Sequence, residues 1–136
     1  MRIELTRRGD YAVRAALVLA RQDRMMSGPS IAAEAGIPAS FVPQVMGDLV
    51  HSGLAKNRLG RGGGYALAQR PRDIPLLAII EAVEGDPRRR ACVMRNHDCG
   101  REGYCDVHEA FAAAQEALLS SLAGVSLADV QRPRSG

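Results

Sequence analysis

The residues best suited to chemistry are three cysteines, Cys92, Cys99 and Cys105, which lie within fourteen residues of one another. They fall in residues 85–108, which lack apolar periodicity and therefore predict a loop. A loop this long in a small domain is usually functional or disordered. In a reducing cytosol, clustered cysteines more often bind a metal or sense redox state than form structural disulfides. The clustering therefore predicts a metal site, with three separate thiols as the alternative.

Three kinds of thiol chemistry fit this cluster. Iron–sulfur clusters are held by thiolates, sometimes with a different ligand on one iron. Zinc accepts three cysteines and a histidine, which His108 would supply, but zinc sites usually contain closely spaced cysteine pairs and this sequence has none. In a metal-free thiol sensor, oxidation would join two of the cysteines. No CxxC pair, Ser-His-Asp arrangement or paired-carboxylate signature is present, so we predict that the protein is not an enzyme.

The sequence ahead of the cysteines predicts a helix-turn-helix. Residues 6–22 form a largely apolar helix that begins at the N-cap Thr6. A short helix over 30–35 stops at Gly36, and the next helix begins at the N-cap Ser40 and ends near Ser52. Two helices joined by a tight turn that contains glycine are typical of a DNA-binding helix-turn-helix.

A predicted β-hairpin, or wing, follows directly. Its strands cover residues 54–58 and 65–68, and a glycine-rich tip joins them. Glycine lets a backbone approach another molecule closely, and arginine can enter a DNA minor groove. Such tips also cradle nucleotide phosphates, but no GxxxxGK[ST] or GxGxxG motif precedes a helix here. The predicted DNA-contacting residues of the wing are Lys56, Arg58, Arg61, Gly62 and Gly63.

Charge and composition agree with a DNA partner. Residues 1–75 carry a net charge of +5 and residues 76–136 a net charge of −2, and a basic front half suits a phosphate-bearing partner. A length of 136 residues with 46% hydrophobic residues predicts one domain with a buried core. No apolar run approaches the roughly 18 residues of a membrane span. The first residues lack the pattern of a signal peptide, so we expect a cytoplasmic protein without a membrane partner.

Two further helices complete the prediction. One covers residues 74–83 with Asp73 as its cap, and the last begins at the cap Asp106 and ends near residue 123. The last helix has an apolar seam from Val107 to Leu122, which it must bury against its own domain or a second subunit. We favour a second subunit, and hence a homodimer, because DNA-binding proteins of this size usually act on two half-sites.

The predicted fold is therefore mainly α with a small β-hairpin. A winged helix-turn-helix DNA-binding domain covers residues 1–84, and a cysteine-bearing loop covers residues 85–108. A long C-terminal dimerisation helix and a tail occupy residues 109–136.

Several stretches of this chain resemble the Rrf-type winged helix-turn-helix regulators, the family of IscR, NsrR and RirA. They are LTRRGDYAVRAALVLA, IAAEAGIPASFVPQVMGDLVHSGL, RLGRGGGYALA and the cysteine loop ahead of the last helix. The resemblance covers nearly the whole chain. It implies a homodimeric bacterial transcription factor, a repressor that binds an operator in double-stranded DNA with its wing in the minor groove. It also implies that the three cysteines hold an iron–sulfur cluster, [4Fe–4S] or [2Fe–2S], through which redox state, nitric oxide or iron is sensed.

Three cysteines leave one position of such a cluster for another ligand. His108 matches the position of the histidine ligand in IscR-like members. Asp10 matches the position in the N-terminal helix from which NsrR-like members contribute a carboxylate of the partner subunit. A nitrogen or oxygen ligand is held more weakly than a thiolate, which would leave one iron open to a gas or an oxidant. A labile or external fourth ligand is the third alternative.

The chain also departs from the family pattern. The spacing C-x6-C-x5-C has one more residue in its first gap than IscR-like members have. Pro43 stands where those members place a base-contacting glutamate, so the operator sequence should differ. Gln44 is able to read adenine, and Ser40 is able to contact a phosphate as well as cap its helix, so both are predicted DNA contacts. Leu59 replaces the common wing arginine. His51 and His97 match no ligand position, and we expect both to be solvated.

Overall fold

The protein is organised around its first helix, α1. The computed structural model describes residues 1–87, 93–94 and 105–131. In chain order the elements are α1 (Arg7–Gln22), α2 (Gly28–Ala35), α3 (Val42–His51), β1 (Ala55–Arg58), β2 (Gly64–Leu67), α4 (Leu76–Glu84), α5 (His108–Ala123) and α6 (Leu127–Val130). This order confirms the prediction of a mainly α chain with a small β-hairpin. None of the helices in the described part of the chain has the length and apolar character of a membrane span.

Small apolar side chains let other elements pack closely around α1. Thr6 caps its first turn, as predicted, because the Thr6 hydroxyl accepts a hydrogen bond from the Gly9 backbone N–H at 3.1 Å. Helices α2, α3 and α4 pack against α1. The buried residues of α1 are Gly9, Ala12, Ala15, Ala16, Val18, Leu19 and Ala20.

The helix-turn-helix begins earlier and is capped differently from the prediction. Ser27 caps α2, accepting from the Ser30 N–H at 3.2 Å, so this helix starts before the predicted Ser30. Gly36 ends it with φ of 71°, as predicted. The prediction of Ser40 as the N-cap of α3 is wrong, since Ser40 lies inside a 3-10 turn, Ala39–Phe41, that leads into the helix.

Two other predicted caps are also wrong. Asp73 belongs to a second 3-10 turn and accepts from the Arg70 guanidinium at 2.9 Å, while α4 begins later, after Pro75. Asp106 lies one residue before the N-cap position of α5, which Val107 occupies without a side-chain bond. In each case an extra turn of chain precedes the helix and moves the predicted residue away from its first N–H groups.

The wing is a two-stranded antiparallel sheet that also pairs with a short segment between α1 and α2. β1 and β2 pair from Ala55 opposite Leu67 to Arg58 opposite Gly64. Met26, which lies between α1 and α2, exchanges two backbone hydrogen bonds of 2.8 Å with Tyr65. The root of the wing is therefore fixed to the body of the domain.

The end of the chain returns to the same body after α5. The Leu127 N–H donates to the Ile74 carbonyl at 3.0 Å, and the Leu76 N–H donates to the Val125 carbonyl at 2.9 Å. Ile74 and Leu127 are both fully buried in the main core. Ser126 and Asp129 form a capping box that starts α6. The chain just beyond the C-terminal end of α5 is therefore anchored to the segment that precedes α4.

Gly64 marks the closest approach between the wing and the Met26 segment. Its φ is 134°, and a Cβ there would lie 2.1 Å from the Met26 carbonyl oxygen. Gly64→Ala should lower the free energy of unfolding by about 3 kcal/mol, because backbone strain adds to a clash between backbone atoms. Urea unfolding at fixed protein concentration, followed by circular dichroism, measures this loss.

The matched control is Gly60→Ala. Gly60 also has a positive φ, 88°, but a Cβ there meets nothing within 4 Å. We expect Gly60→Ala to lower the free energy of unfolding by only about 1 kcal/mol, which is the cost of the backbone strain alone. Equal losses in the two variants would contradict the close contact at Gly64.

Candidate nucleic-acid interface and metal centre

Helix α3 has one buried side and one exposed side. Its apolar residues Val42, Val45, Met46 and Leu49 are all buried. Gln44 and Gly47 are exposed, and so is His51, as predicted. Ser40, in the turn that leads into α3, is exposed as well. This side of α3 is therefore open to a partner.

Two contacts from the start of α1 fix α3 and the turn before it. The Arg8 guanidinium forms an ion pair with the Asp48 carboxylate of α3, and both side chains are partly buried. One turn of α1 further on, the Tyr11 ring meets the Phe41 ring edge to face, with centroids 5.1 Å apart. Together these contacts set the angle at which α3 presents its exposed side.

The tip of the wing is built from glycines that have no room for a side chain or need a left-handed backbone. Gly60 and Gly62 have φ of 88° and 75°. The Gly63 N–H donates to the Gly60 carbonyl at 3.1 Å, and a Cβ on Gly63 would lie 2.1 Å from the Arg58 carbonyl oxygen. The Arg58 guanidinium donates to the Gly62 carbonyl at 3.3 Å. The tip is thus narrow and closed on itself.

The wing and the end of α3 carry positive charge without a nearby acidic residue in sequence. Residues 49–67 hold three Lys or Arg side chains and no Asp or Glu. Lys56, Arg58 and Arg61 are all exposed, and Gly62 is exposed beside them, while Gly63 is half-buried. The structure therefore brings the predicted wing residues onto one exposed, basic hairpin.

Cys105 and His108 lie in one turn at the start of α5. The His108 N–H donates to the Cys105 carbonyl at 3.0 Å, and both residues are half-buried. Cys92, Cys99 and His97 lie outside the described residues. Among residues 1–87, 93–94 and 105–131, no three His, Cys, Asp or Glu side chains are grouped closely enough to hold a metal.

Asp10 lies in the first turn of α1 and accepts from the Arg14 guanidinium at 2.7 Å. That turn also adjoins the start of the predicted cysteine-bearing segment. The Thr6 N–H and hydroxyl donate to the Glu84 carboxylate, at 3.0 and 2.9 Å, and Glu84 ends α4. Gly85 then leaves the helix with φ of 78° and ψ of −160°, a conformation that is essentially restricted to glycine.

The donor types fit an iron–sulfur cluster. Thiolates hold such clusters, and a non-thiolate ligand on one iron is known. The turn at Cys105 provides one thiol and one imidazole within four residues. Asp10 provides a carboxylate in the first turn of α1, next to the N-cap Thr6 that binds Glu84. The same thiol and imidazole types would also suit zinc.

Helix α5 carries two apolar stripes, of which one packs on its own domain. Leu119 is buried and Ala112 and Leu122 are half-buried on one side of α5, and α5 packs against α4. Phe111 and Leu118, from the predicted seam, are each 39% exposed. The middle of the seam that was predicted to bind a second subunit, from Phe111 to Leu118, is therefore open in a single chain, while Val107 and Leu122 at its ends are half-buried.

Sequence reasoning missed the residues that position these sites. Arg8, Asp48 and Glu84 make contacts between residues that are distant in sequence, and nothing in one sequence pairs them. Met26 lies in a predicted turn, and its pairing with Tyr65 has no local signal. The ring contact between Tyr11 and Phe41 likewise joins residues that are distant in sequence.

Comparison with known proteins agrees with the fold over almost the full length. Residues 5–133 match the family described as Rrf2, iron-dependent transcriptional regulator. The chain is 27% identical over 137 residues to the transcriptional repressor NsrR of Streptomyces coelicolor, covering 98% of this chain and 92% of NsrR.

Two solved structures are similar to this one. IscR of T. potens has a TM-score of 0.74 at 25% identity, covering 93% of this chain and 85% of IscR. CymR, the global cysteine regulator of B. subtilis, has a TM-score of 0.78 at 23% identity, covering 96% of this chain and 97% of CymR. With a family match from residue 5 to residue 133 and a winged helix-turn-helix in place, the chain belongs to the Rrf2 family, whose members are transcriptional regulators and not enzymes.

Proposed function

We propose that this regulator is a homodimeric repressor that senses redox state, nitric oxide or iron through an iron–sulfur cluster held by Cys92, Cys99 and Cys105. The observation that carries the proposal is a thiol and an imidazole on one turn, at the start of an exposed helix, in a chain of a family described as iron-dependent. The proposal keeps the division into a DNA-binding domain, a cysteine-bearing loop and a dimerisation helix. Its DNA partner also supports the expected cytoplasmic location.

The DNA-binding part rests on α3 and the wing. The exposed side of α3 fits a major groove, where Gln44 would read base edges. The slender basic wing fits a minor groove, with Arg58, Arg61 and Lys56 near phosphates and the backbone of Gly62 and Gly63 close to the sugars. Ser40, at the entry to α3, would donate its hydroxyl to a phosphate.

The sensing part rests on the residues around Cys105. The cysteines would supply thiolates, and His108 in the same turn, Asp10 from the partner subunit or an external ligand would complete the set. A bound cluster would supply a redox-active centre that oxidants and nitric oxide attack. Because residue 85 follows Glu84 directly and Glu84 binds Thr6, movement of the cysteine segment would act on the start of α1.

The dimer rests on the open stripe of α5. Phe111 and Leu118 stand one above the other at i and i+7, with Ala114 between them, and a second copy of this helix would cover all three. Two copies would then hold their α3 helices and wings at a fixed spacing, as binding to two half-sites requires.

Removing one arginine tests the role of the wing. Arg61→Ala should weaken binding to duplex DNA by roughly tenfold, because one phosphate contact is lost. It should also lower the slope of log affinity against log salt concentration by about 1. Duplexes recovered by selection from a random-sequence library are the probe, and fluorescence anisotropy at several salt concentrations is the measurement. Arg72→Ala is the control, since Arg72 is exposed but lies outside the helix-turn-helix and wing. Equal effects of the two substitutions would contradict the role of the wing.

Colour and metal content test the role of the cysteines. Protein purified without oxygen should be coloured and contain iron and acid-labile sulfide, and Cys105→Ser should lose most of the iron and the sulfide. His51→Ala, at an exposed histidine of α3, should keep them. His108→Ala and Asp10→Asn identify the fourth ligand, because only loss of the true ligand changes the visible spectrum, and an unchanged spectrum in both variants indicates an external ligand. A colourless protein with bound zinc would favour the zinc site. A metal-free protein with a reversible disulfide would favour the thiol sensor.

A charge on the exposed side of α5 tests the dimer. Leu118→Glu should convert the dimer into a monomer, because it places a charge within the apolar stripe of α5. Ala113→Glu is the control, since Ala113 shares its exposed face with Glu109 and Glu116. Sedimentation equilibrium measures both. A wild-type monomer, or a dimer that survives Leu118→Glu, would count against this interface.

A further inference from the structure

Leu59 occupies an unusual place for a large apolar side chain. It is 89% exposed, and among the described residues only Met1 is a more exposed large hydrophobic. Single exposed leucines are common on protein surfaces and need no function. Leu59, however, lies at the tip of the wing, directly after the last residue of β1 and beside Gly60 with its φ of 88°.

The tip holds Leu59 on a compact support. The bond from the Gly63 N–H to the Gly60 carbonyl closes the turn that follows it, and the bond from the Arg58 guanidinium to the Gly62 carbonyl spans it. A Cβ on Gly63 has no space. The side chain of Leu59 therefore projects from a tip whose neighbouring glycines add almost no width.

The surroundings of Leu59 indicate what it would meet. Arg58 and Arg61 flank it, and both are exposed. A narrow hairpin with arginines beside its tip is drawn to the minor groove, which is about 6 Å wide. A leucine there has no donor or acceptor for base edges. Apolar side chains that enter minor grooves instead insert between stacked bases and kink the duplex.

We propose that Leu59 is an apolar wedge that enters a pyrimidine–purine step in the operator minor groove and bends the DNA. The inference rests on the proposed DNA-binding function and adds how the wing selects its site. Pyrimidine–purine steps unstack most easily, so the wedge favours operators with such a step under each wing. Specificity would then come from the deformability of that step and not from hydrogen bonds by the wing.

The experiment uses the wild-type protein and the selected duplexes, in which 2-aminopurine replaces single adenines. The fluorescence of 2-aminopurine rises when this base is unstacked from its neighbours. Wild-type protein should raise the signal at one pyrimidine–purine step in each half-site. Leu59→Ala should remove the rise and weaken binding by about tenfold, as expected for one leucine that is no longer buried. Leu59→Met, which keeps a flexible apolar side chain, should restore most of the rise.

The outcomes separate this inference from the proposed function. Selective binding by wild type together with an unchanged fluorescence rise in Leu59→Ala overturns the wedge and leaves the DNA-binding role intact. Failure of the wild type to select any duplex overturns both. Circular dichroism of each variant checks the fold, which a residue that is 89% exposed should not disturb.

Discussion

The first two turns of α1 are held on two sides, and both candidate sites depend on how they are held. On one side, the Thr6 N–H and hydroxyl bind the Glu84 carboxylate at the end of α4. On the other, Arg8 pairs with Asp48 on α3. Gly9 lies between these contacts, and a Cβ there would overlap the Glu84 carboxylate, so a side chain at this position would push Glu84 away from Thr6. The position of α3 and the start of the cysteine segment are therefore set by the same short stretch of helix.

The second half of the chain adds an arm to this body. Helix α5 lies against α4 along one stripe and leaves Phe111 and Leu118 open along another. Beyond α5, the chain pairs with the segment before α4 and buries Leu127 next to Ile74. The main core therefore includes Leu127, so the chain on the C-terminal side of α5 is anchored in the same core as the helix-turn-helix.

Sequence periodicity and turn chemistry predicted most of the fold because these signals are local. The apolar face of α1, the stop at Gly36 and the glycine-rich wing all follow from neighbouring residues. The caps at Ser40, Asp73 and Asp106 failed because the chain inserts extra turns there, and their lengths depend on tertiary packing. The contacts of α1 with Glu84 and Asp48 join residues far apart in sequence, so composition and spacing contained no trace of them.

The central claim is that operator binding depends on the state of the cysteine site, and one comparison tests it most directly. Affinity for the selected duplex should be measured on a single oxygen-free preparation before and after its iron is removed by a chelator, at constant salt. A coupling of ordinary size would change the dissociation constant by about tenfold or more, with the change abolished in Cys105→Ser. Equal affinity of iron-loaded and iron-free protein for the same duplex would contradict the account.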